Sequence, residues 1–297
     1  MRILVAGASG FVGSRLCPEL EAAGHDVRAM TRHPESYDGA GTPVRGDVSD
    51  DDSLAEAMDG CDAAYYLVHS LDSPNFVDSD AKAALTFGTA AAEAKVGRII
   101  YLGGLGNDDD ELSDHLKSRR EVEGLLGSAG VAVTTLRAGI VVGHGGISWE
   151  MTRQLVEHLP AMVAPRWVNT RTQPIAIADV VRYLLGVLEN PDAAGKTFEI
   201  GGPEVLTYQE MLHRVAALEG RRRIIKTVPL LTPRLSSYWL ALVTDVDGRT
   251  SRSLVDSMTN EVVVTDHSIR DVVPFEPTPF DDAVLSALGE RAEAART

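Results

Sequence analysis

Three glycines near the start of the chain have the spacing of a phosphate-binding turn. Gly7, Gly10 and Gly13 follow an apolar run at residues 3–6 and precede an amphipathic stretch. The first glycine permits a sharp bend, the second admits a diphosphate to the backbone, and the third lets the helix pack against the strand. The start of that helix offers unbonded N–H groups and positive potential. An ordinary strand–helix turn is the alternative, but the agreement of all these features predicts a dinucleotide site.

The end of the second predicted strand indicates which dinucleotide is bound. Sites for NAD usually place Asp or Glu there, where the carboxylate binds the ribose 2′-hydroxyl. Here Thr31 and Arg32 stand at that place. A hydroxyl and a permanent cation suit a 2′-phosphate. We therefore expect NADP(H) to be preferred, with NAD(H) as the alternative if Arg32 is only a solvated loop residue.

Further cofactor contacts are expected beyond the ends of later strands, because ligands of parallel sheets lie there. Asp47 and Val48 follow the third predicted strand and suit the adenine side. His69 at the end of the fourth suits the nicotinamide ribose, and a hydrogen-bonded loop histidine explains it equally well. The predicted cofactor contacts are Gly7, Ser9, Gly10, Phe11, Val12, Gly13, Thr31, Arg32, His33, Asp47, Val48, Leu67, Val68, His69, Leu102 and Gly103.

Short apolar runs alternate with amphipathic stretches, a rhythm typical of βαβ units in a parallel sheet. Strands are predicted at residues 3–6, 27–30, 44–46, 63–68, 99–102, 131–136 and 197–200, with a weaker strand at 261–264. Helices are predicted at residues 11–23, 52–58, 76–94, 113–128, 149–158 and 178–188. The fold class is therefore α/β: a Rossmann-type doubly wound parallel sheet with a small C-terminal α/β substrate-binding portion. Residues 1–140, with strands from 170–202, form the nucleotide domain, and residues 141–297 form a smaller, partly interleaved domain.

The amino-acid composition indicates which kinds of partner the protein can bind and which cellular compartment suits it. The 297 residues carry 43 acidic against 28 basic side chains, a net charge of −15. This charge disfavours nucleic acid and anionic membranes as partners. Only 5 of the basic residues are Lys, and an acidic, Lys-poor surface leads us to expect a salt-adapted, halophilic source. Cys17 and Cys61 belong to no metal-binding cluster, and the start of the chain has no signal-peptide pattern, so we expect no metal and a cytoplasmic location.

Several other segments have both a plain and a functional interpretation. Residues 224–243 are apolar but contain Lys226 and Arg234, so a membrane span is disfavoured. They suit a core or interface helix, or else a lipophilic substrate wall. Residues 221–223 are three arginines, a surface cluster or an anion grip. Residues 143–146 are a flexible strand exit or a gating loop. Base rates favour a symmetric homodimer.

Several motifs together resemble a known family. They are Gly7-Ala-Ser-Gly-Phe-Val-Gly13, Gly46-Asp-Val48, Tyr66-Leu-Val-His-Ser70, Tyr101-Leu-Gly-Gly104, Leu136-Arg-Ala-Gly-Ile140, Gln173-Pro-Ile-Ala-Ile-Ala-Asp179 and Phe198-Glu-Ile-Gly-Gly-Pro203. The chain resembles the atypical short-chain dehydrogenase/reductase superfamily, whose members include NAD-dependent epimerases and dehydratases. It is most similar to the NmrA-like NAD(P)H-binding branch, which includes an accessory subunit of respiratory complex I. The resemblance implies a Rossmann-type domain with a C-terminal portion that closes over the cofactor cleft.

The chain departs from this family at the catalytic positions. Enzymes of the superfamily carry a Ser near the end of the fifth strand and a YxxxK pair on the next helix, whereas Gly103 and Gly104 stand here instead of the Ser. His115 and Arg119 are the nearest equivalent of the pair and share one helix face. His115 is a candidate proton donor, and Arg119 would lower its pKa or hold an anion. A solvated helix face is the alternative interpretation.

Two classes of function follow. The first is an NADP(H)-dependent oxidoreductase acting on a small or lipophilic carbonyl or quinone-like acceptor, with His115 and Arg119 as catalytic residues. The second is a non-catalytic NAD(P)H-binding sensor or a respiratory-complex accessory or assembly protein, favoured by the missing Ser, Tyr and Lys. A nucleotide-sugar epimerase or dehydratase is a further enzymatic alternative, disfavoured by the missing tyrosine.

Overall fold

A seven-stranded parallel sheet forms the centre of the chain. The computed structural model describes residues 1–69, 75–106, 111–227 and 248–296. The sheet order is β11-β6-β5-β4-β1-β2-β3, so the direction of winding changes between β1 and β4. Its strands are β1 (Arg2–Ala6), β2 (Asp26–Thr31), β3 (Thr42–Arg45), β4 (Ala63–Tyr66), β5 (Arg98–Gly104), β6 (Ala132–Ala138) and β11 (Thr197–Ile200).

Helices cover both faces of this sheet because its strands are apolar on both sides. In β1, Ile3 and Val5 face α1 and α6, whereas Leu4 and Ala6 belong to the core under α2, α3 and α4. All four side chains are fully buried. These helices are α1 (Gly13–Ala22), α2 (Asp51–Met58), α3 (Phe76–Glu93), α4 (Asp114–Leu126) and α6 (Ile177–Glu189).

Residues beyond β6 build a second hydrophobic core around Trp149, Met211 and Val284. Its helices are α5 (Ile147–His158), α7 (Tyr208–Leu218), α8 (Gly248–Ser257) and α10 (Phe280–Ala294), while α9 (Ile269–Val272) packs on the sheet side. Short strands pair as β7 (Val141–Val142) with β10 (Ile175–Ala176), β8 (Ala161–Ala164) with β13 (Ile224–Thr227), and β9 (Arg171–Thr172) with β12 (Leu206–Thr207).

The α/β Rossmann-type fold predicted from the sequence is confirmed, as are the strands that form the sheet. The predicted strand at residues 261–264 is wrong, because Val262 makes only an isolated bridge to Thr172. The predicted helix at residues 11–23 begins later, at Gly13, and residues 67–69 lie beyond β4 rather than in it. The apolar stretch at 228–243 and the acidic run at 108–110 fall outside the described residues.

For the arginines at residues 221–223, the structure supports a surface cluster rather than an anion grip, because Arg221 and Arg223 bind carbonyls of the protein itself. Arg221 Nη1 donates to the Glu157 carbonyl at 3.0 Å, and Arg223 Nε donates to the Val156 carbonyl at 2.6 Å. Both carbonyls belong to the last turn of α5, where the carbonyl groups have no hydrogen-bond partners inside the helix. In the described part of the chain, no helix is long and apolar enough to cross a membrane.

Candidate active site

A cleft of about 410 Å³ opens at the carboxyl ends of β1, β4, β5 and β6. It lies where the order of the strands reverses, the place at which such sheets bind their ligands. Of the residues predicted from the sequence, those that line it are Gly7, Gly10, Phe11, Val12, Gly13, Leu67, His69, Leu102, Gly103, His115 and Arg119. No Asp or Glu is among the described lining residues, although the chain as a whole is strongly acidic.

The glycine turn is shaped for close approach of backbones. Gly7 has φ +89°, and a β-carbon there would lie 3.0 Å from the Leu67 carbonyl oxygen. At Gly13 a β-carbon would lie only 2.1 Å from the Gly7 carbonyl oxygen. A side chain at position 13 would therefore push α1 away from the turn, so this glycine sets the position of the helix.

The turn leaves amides open for an anion. Ser14 N–H donates to the Gly10 carbonyl at 2.9 Å, which closes the first bond of the helix. The amides of Phe11, Val12 and Gly13 have no acceptor among the described residues, and the first turn of α1 contains no acidic residue. Open amides, the helix dipole and a cleft without carboxylates fit a diphosphate.

Seven other predicted cofactor contacts do not line this cleft: Ser9, Thr31, Arg32, His33, Asp47, Val48 and Val68. Ser9 lies in the glycine turn and Val68 follows β4, whereas the other five lie at or just beyond the ends of β2 and β3 on one side of the sheet. Thr31 Oγ1 accepts the His33 amide at 3.2 Å, and Asp47 Oδ1 accepts the Ser49 amide at 2.9 Å. The pKa of Asp47 is lowered by its bonds from Ser49 and, to a smaller extent, by the charge of Arg32. The exposed Arg32 and the half-buried Asp47 are thus near neighbours beyond the ends of β2 and β3.

The loop at residues 143–146 forms the opposite wall of the cleft, together with the start of α5. Gly145, Gly146, Ile147 and Ser148 line the cleft, and the Phe11 ring packs against Gly146. Sequence reasoning left these residues out of the site. The glycine pair was their only signal in the sequence.

Arg15 holds this loop to the glycine turn and to the last helix. Its guanidinium donates to the carbonyls of Phe11 at 2.9 Å and His144 at 2.8 Å, and pairs with Glu290 at 2.6 Å. Because Glu290 belongs to α10, the C-terminal part of the chain is tied directly to the cradle. A local sequence pattern could not predict this contact, because Arg15 and Glu290 lie far apart in sequence.

The end of β5 explains why glycines replace the family's serine. A β-carbon at Gly104 would lie 2.9 Å from Leu116 Cδ2 and 3.6 Å from Arg119 Cγ. Helix α4 therefore packs so close to β5 that a larger residue at position 104 requires its neighbours to move. The side chains of α4, rather than one from β5, fill this end of the cleft.

The start of α4 is fixed by hydrogen bonds to the C-terminal part of the chain. Ser113 caps the helix by accepting the Leu116 amide at 3.3 Å. Its own amide donates to Asn260 Oδ1 at 3.0 Å, and its hydroxyl lies 3.0 Å from Ser257 Oγ. His115, two residues further on, is thereby held at the cleft.

His115 is a neutral base in this environment. Burial, the charge of Arg119 and the neighbouring His69 together lower the pKa of His115 to about 3. Arg119 is itself buried, with 8% of its surface exposed, and the Tyr101 hydroxyl donates to its carbonyl at 3.3 Å. At neutral pH the imidazole can donate one N–H as a hydrogen bond, but it carries no proton to release from an imidazolium.

Comparison with known proteins decides the family. A family model described as NAD(P)H-binding matches residues 7–191. The chain belongs to this NAD(P)H-binding family. The matched segment of the family runs from the glycine turn to the end of α6 and includes His115 and Arg119. The resemblance read from the motifs is thereby confirmed.

The proteins to which this chain is similar differ from one another in length and in name. An uncharacterized protein of Mycobacterium tuberculosis is 27% identical over 80% of this chain, which spans only 25% of that relative. A Streptomyces griseus protein is 28% identical over 74% of each chain and is named (4-alkanoyl-5-oxo-2,5-dihydrofuran-3-yl)methyl phosphate reductase. The structure of the Escherichia coli NADPH-dependent quinone oxidoreductase with NADPH superposes with a TM-score of 0.78, at 18% identity over 96% of this chain and 99% of that one.

Proposed function

We propose that this chain is an NADP(H)-dependent oxidoreductase that reduces a small or lipophilic carbonyl or quinone-like acceptor. The observation that carries the proposal is the continuity of one cleft. It begins at the open amides of the glycine turn and ends at the half-buried His115 and the buried Arg119. One similar protein is named a reductase and another a quinone oxidoreductase, which supports the same class of reaction.

The residues present fit a pyridine dinucleotide. Gly7, Gly10 and Gly13 would hold the diphosphate at the start of α1, and Leu102 and Gly103 would lie under the nicotinamide end. When bound in reduced form, the cofactor supplies a hydride. On the adenosine side, Thr31 and Arg32 would hold the 2′-phosphate, which supports NADP(H) over NAD(H).

His115 and Arg119 would act on the acceptor by polarisation. When a carbonyl carbon accepts a hydride, its π bond breaks and negative charge develops on oxygen. The neutral His115 N–H would donate a hydrogen bond to that oxygen, and Arg119 would stabilise the charge from its buried position. A proton from water then completes the alcohol. The lowered pKa of His115 supports this role over that of a proton donor.

Oxidation of NADPH at 340 nm in the presence of short aldehydes, ketones and quinones tests the proposal. Turnover that falls roughly a hundredfold in His115→Ala, with NADPH affinity retained, supports it. His158→Ala is the matched control, because His158 lies in the last turn of α5 and does not line the cleft. Tight NADPH binding without oxidation by any acceptor would defeat the enzymatic role.

A cofactor-binding protein without turnover is the second candidate. Gly103 and Gly104 stand where the enzymes of the resembled superfamily carry a serine, and His115 is only the nearest equivalent of their tyrosine. This candidate gains support if calorimetry detects NADPH binding while the acceptor panel gives no rate. An epimerase has less support, since His115 offers no phenol for the proton and hydride exchange of that chemistry.

The surface charge supports a cytoplasm of high salt as the working compartment. With 43 acidic and only 5 Lys residues, the folded chain repels itself at low ionic strength. We expect the melting temperature to rise between 0.1 and about 2 M KCl. A melting temperature that stays constant would count against salt adaptation.

A further inference from the structure

A second, smaller pocket of about 90 Å³ opens from the cleft behind His115. Gly104, His115 and Ser148 line both cavities, so the imidazole lies at their junction. The pocket runs from the end of β5 toward α8, which contributes Leu254, and Met258 directly after that helix also lines it.

The walls of this side pocket are mainly apolar, and its polar groups are neutral ones from His115, Ser148, Tyr208 and Ser257. Its aliphatic lining is buried and consists of Leu105, Leu116, Ile140, Leu254, Met258 and Val262. Of the hydroxyls, that of Ser257 already donates to the Ser253 carbonyl at 2.9 Å. Burial raises the pKa of Tyr208, which keeps its phenol neutral. No Asp, Glu, Lys or Arg lines the pocket among the described residues.

We propose that the side pocket binds the uncharged, straight aliphatic arm of the acceptor, which makes the substrate a short-chain aldehyde or ketone. This inference rests on the proposed function, because it places the carbonyl oxygen at His115 and the arm behind it. The volume has room for about three or four non-hydrogen atoms. In the reaction the carbonyl carbon gains a hydride from NADPH, which becomes NADP⁺, and the oxygen gains a proton from water.

The same walls reject other acceptors. An ionised group at the end of the arm would lose its hydration without gaining a partner, which is costly in an apolar cavity. An aromatic ring has more atoms than the pocket has room for. A quinone or dye would therefore bind only in the outer cleft and would leave the side pocket empty.

The wild-type protein tests this inference with two series of probes. In the first, kcat/KM with NADPH is measured for straight aldehydes from ethanal to octanal and for 5-oxopentanoate. We expect a rise of about fourfold for each carbon up to butanal or pentanal, followed by a plateau or decline. We also expect 5-oxopentanoate to react at least roughly a hundredfold more slowly than pentanal. A rate independent of chain length, or equal rates for those two compounds, would overturn the inference.

The second series measures binding without turnover. Calorimetry on the NADP⁺-loaded protein compares acetamide, butanamide, octanamide and 4-amino-4-oxobutanoate, which mimic the carbonyl but accept no hydride. Preference for butanamide supports the pocket, and equal affinities overturn it. If no aldehyde reacts while butanamide is still preferred, the oxidoreductase fails and the selectivity of the pocket stands.

A matched pair of variants locates the effect. Met258→Ala removes three side-chain atoms from the pocket wall, so the preferred aldehyde should lengthen by about two or three carbons. Met211→Ala removes the same atoms from the same core but does not line the pocket, and its preferred chain length should stay that of the wild type. If Met258→Ala does not fold, Met258→Leu should still change the order of preference among butanal, pentanal and hexanal. An unchanged order in whichever variant folds would contradict the assignment.

Discussion

The two walls of the cleft are built on different principles. The glycine turn of β1 and α1 offers backbone amides, and its glycines allow close approach because they lack side chains. The opposite wall, made by the loop at residues 143–146 with α4, α5 and α8, offers side chains such as His115, Arg119 and Leu254. The first wall lies at a place that the fold dictates, whereas the second depends on packing between parts of the chain far apart in sequence. We therefore expect cofactor binding to depend on the first wall and the proposed chemistry on the second.

The largest effect should come from filling the backbone contact of the first wall. In Gly13→Ala the new β-carbon meets the Gly7 carbonyl oxygen at 2.1 Å, so α1 must move. We expect the free energy of unfolding to fall by roughly 3 kcal/mol, with loss of NADPH binding. Chemical denaturation and calorimetry measure both.

Gly124→Ala in α4 is the control for that substitution. Its β-carbon would meet no atom within 4 Å, so it should stabilise the helix by about 0.5–1 kcal/mol. Similar melting of the two variants would show that the glycine turn is not the tight contact described.

The charge at the adenosine edge should have the next largest effect. Arg32→Ala removes the cation expected to hold the 2′-phosphate, so NADPH affinity should fall roughly tenfold to a hundredfold while NADH affinity changes little. Fluorescence titration with both cofactors measures the ratio. Arg222→Ala, an exposed arginine away from the cleft, should change neither affinity. Equal losses of NADPH and NADH affinity in Arg32→Ala would refute the preference for NADP(H).

The wall that contains His115 and Arg119 should determine how kcat/KM depends on pH. Because the pKa of His115 is lowered from 6.5 to about 3, its imidazole does not titrate between pH 5 and 8. We expect kcat/KM in this range to show no His115 titration near pH 6.5. In Arg119→Gln the pKa of His115 should rise, since one cause of its lowering is removed, and the rate should fall several-fold toward pH 5. NMR titration of His115 gives the direct measurement.

The same shift affects stability in acid. Below about pH 6.5 the unfolded chain protonates this histidine while the folded chain keeps it neutral. Its contribution to stability is therefore complete above pH 6.5 and is lost as the pH falls toward 3. His115→Gln should reduce this part of the acid sensitivity. A His115 pKa near 6.5 in the wild type would contradict both predictions.

The smallest effect should come from replacing Arg15, which links the two walls of the cleft. Arg15→Met removes the bonds to the Phe11 and His144 carbonyls and the half-exposed pair with Glu290. Such a pair contributes about 0.5–1 kcal/mol, so the Kd for NADPH should rise about two- to fivefold. Glu293→Gln, also on α10 and exposed, serves as the control, because Arg15 pairs with Glu290 and not with Glu293. An unchanged Kd would show that the loop stays in place without Arg15.

The sequence predicted the structure correctly where a feature depends on a single segment of the chain. The alternation of apolar runs predicted the strands of the sheet, and three glycines at fixed spacing predicted the turn after β1. Strand 261–264 failed because a β-branched run forms a strand only if a partner strand is available. Gly104 was seen as a departure from the family, but its reason, the approach of Leu116, lies in another element.

The amino-acid sequence by itself determined the parallel sheet, the phosphate turn and the surface charge, because each depends on local geometry or on composition. Only the tertiary structure decided that Arg15 joins α1 to α10, that His115 lies half-buried beside Arg119, and that α8 closes a side pocket behind it. These features require contacts between residues more than a hundred positions apart or the exclusion of water from a buried group. Folding alone creates both conditions.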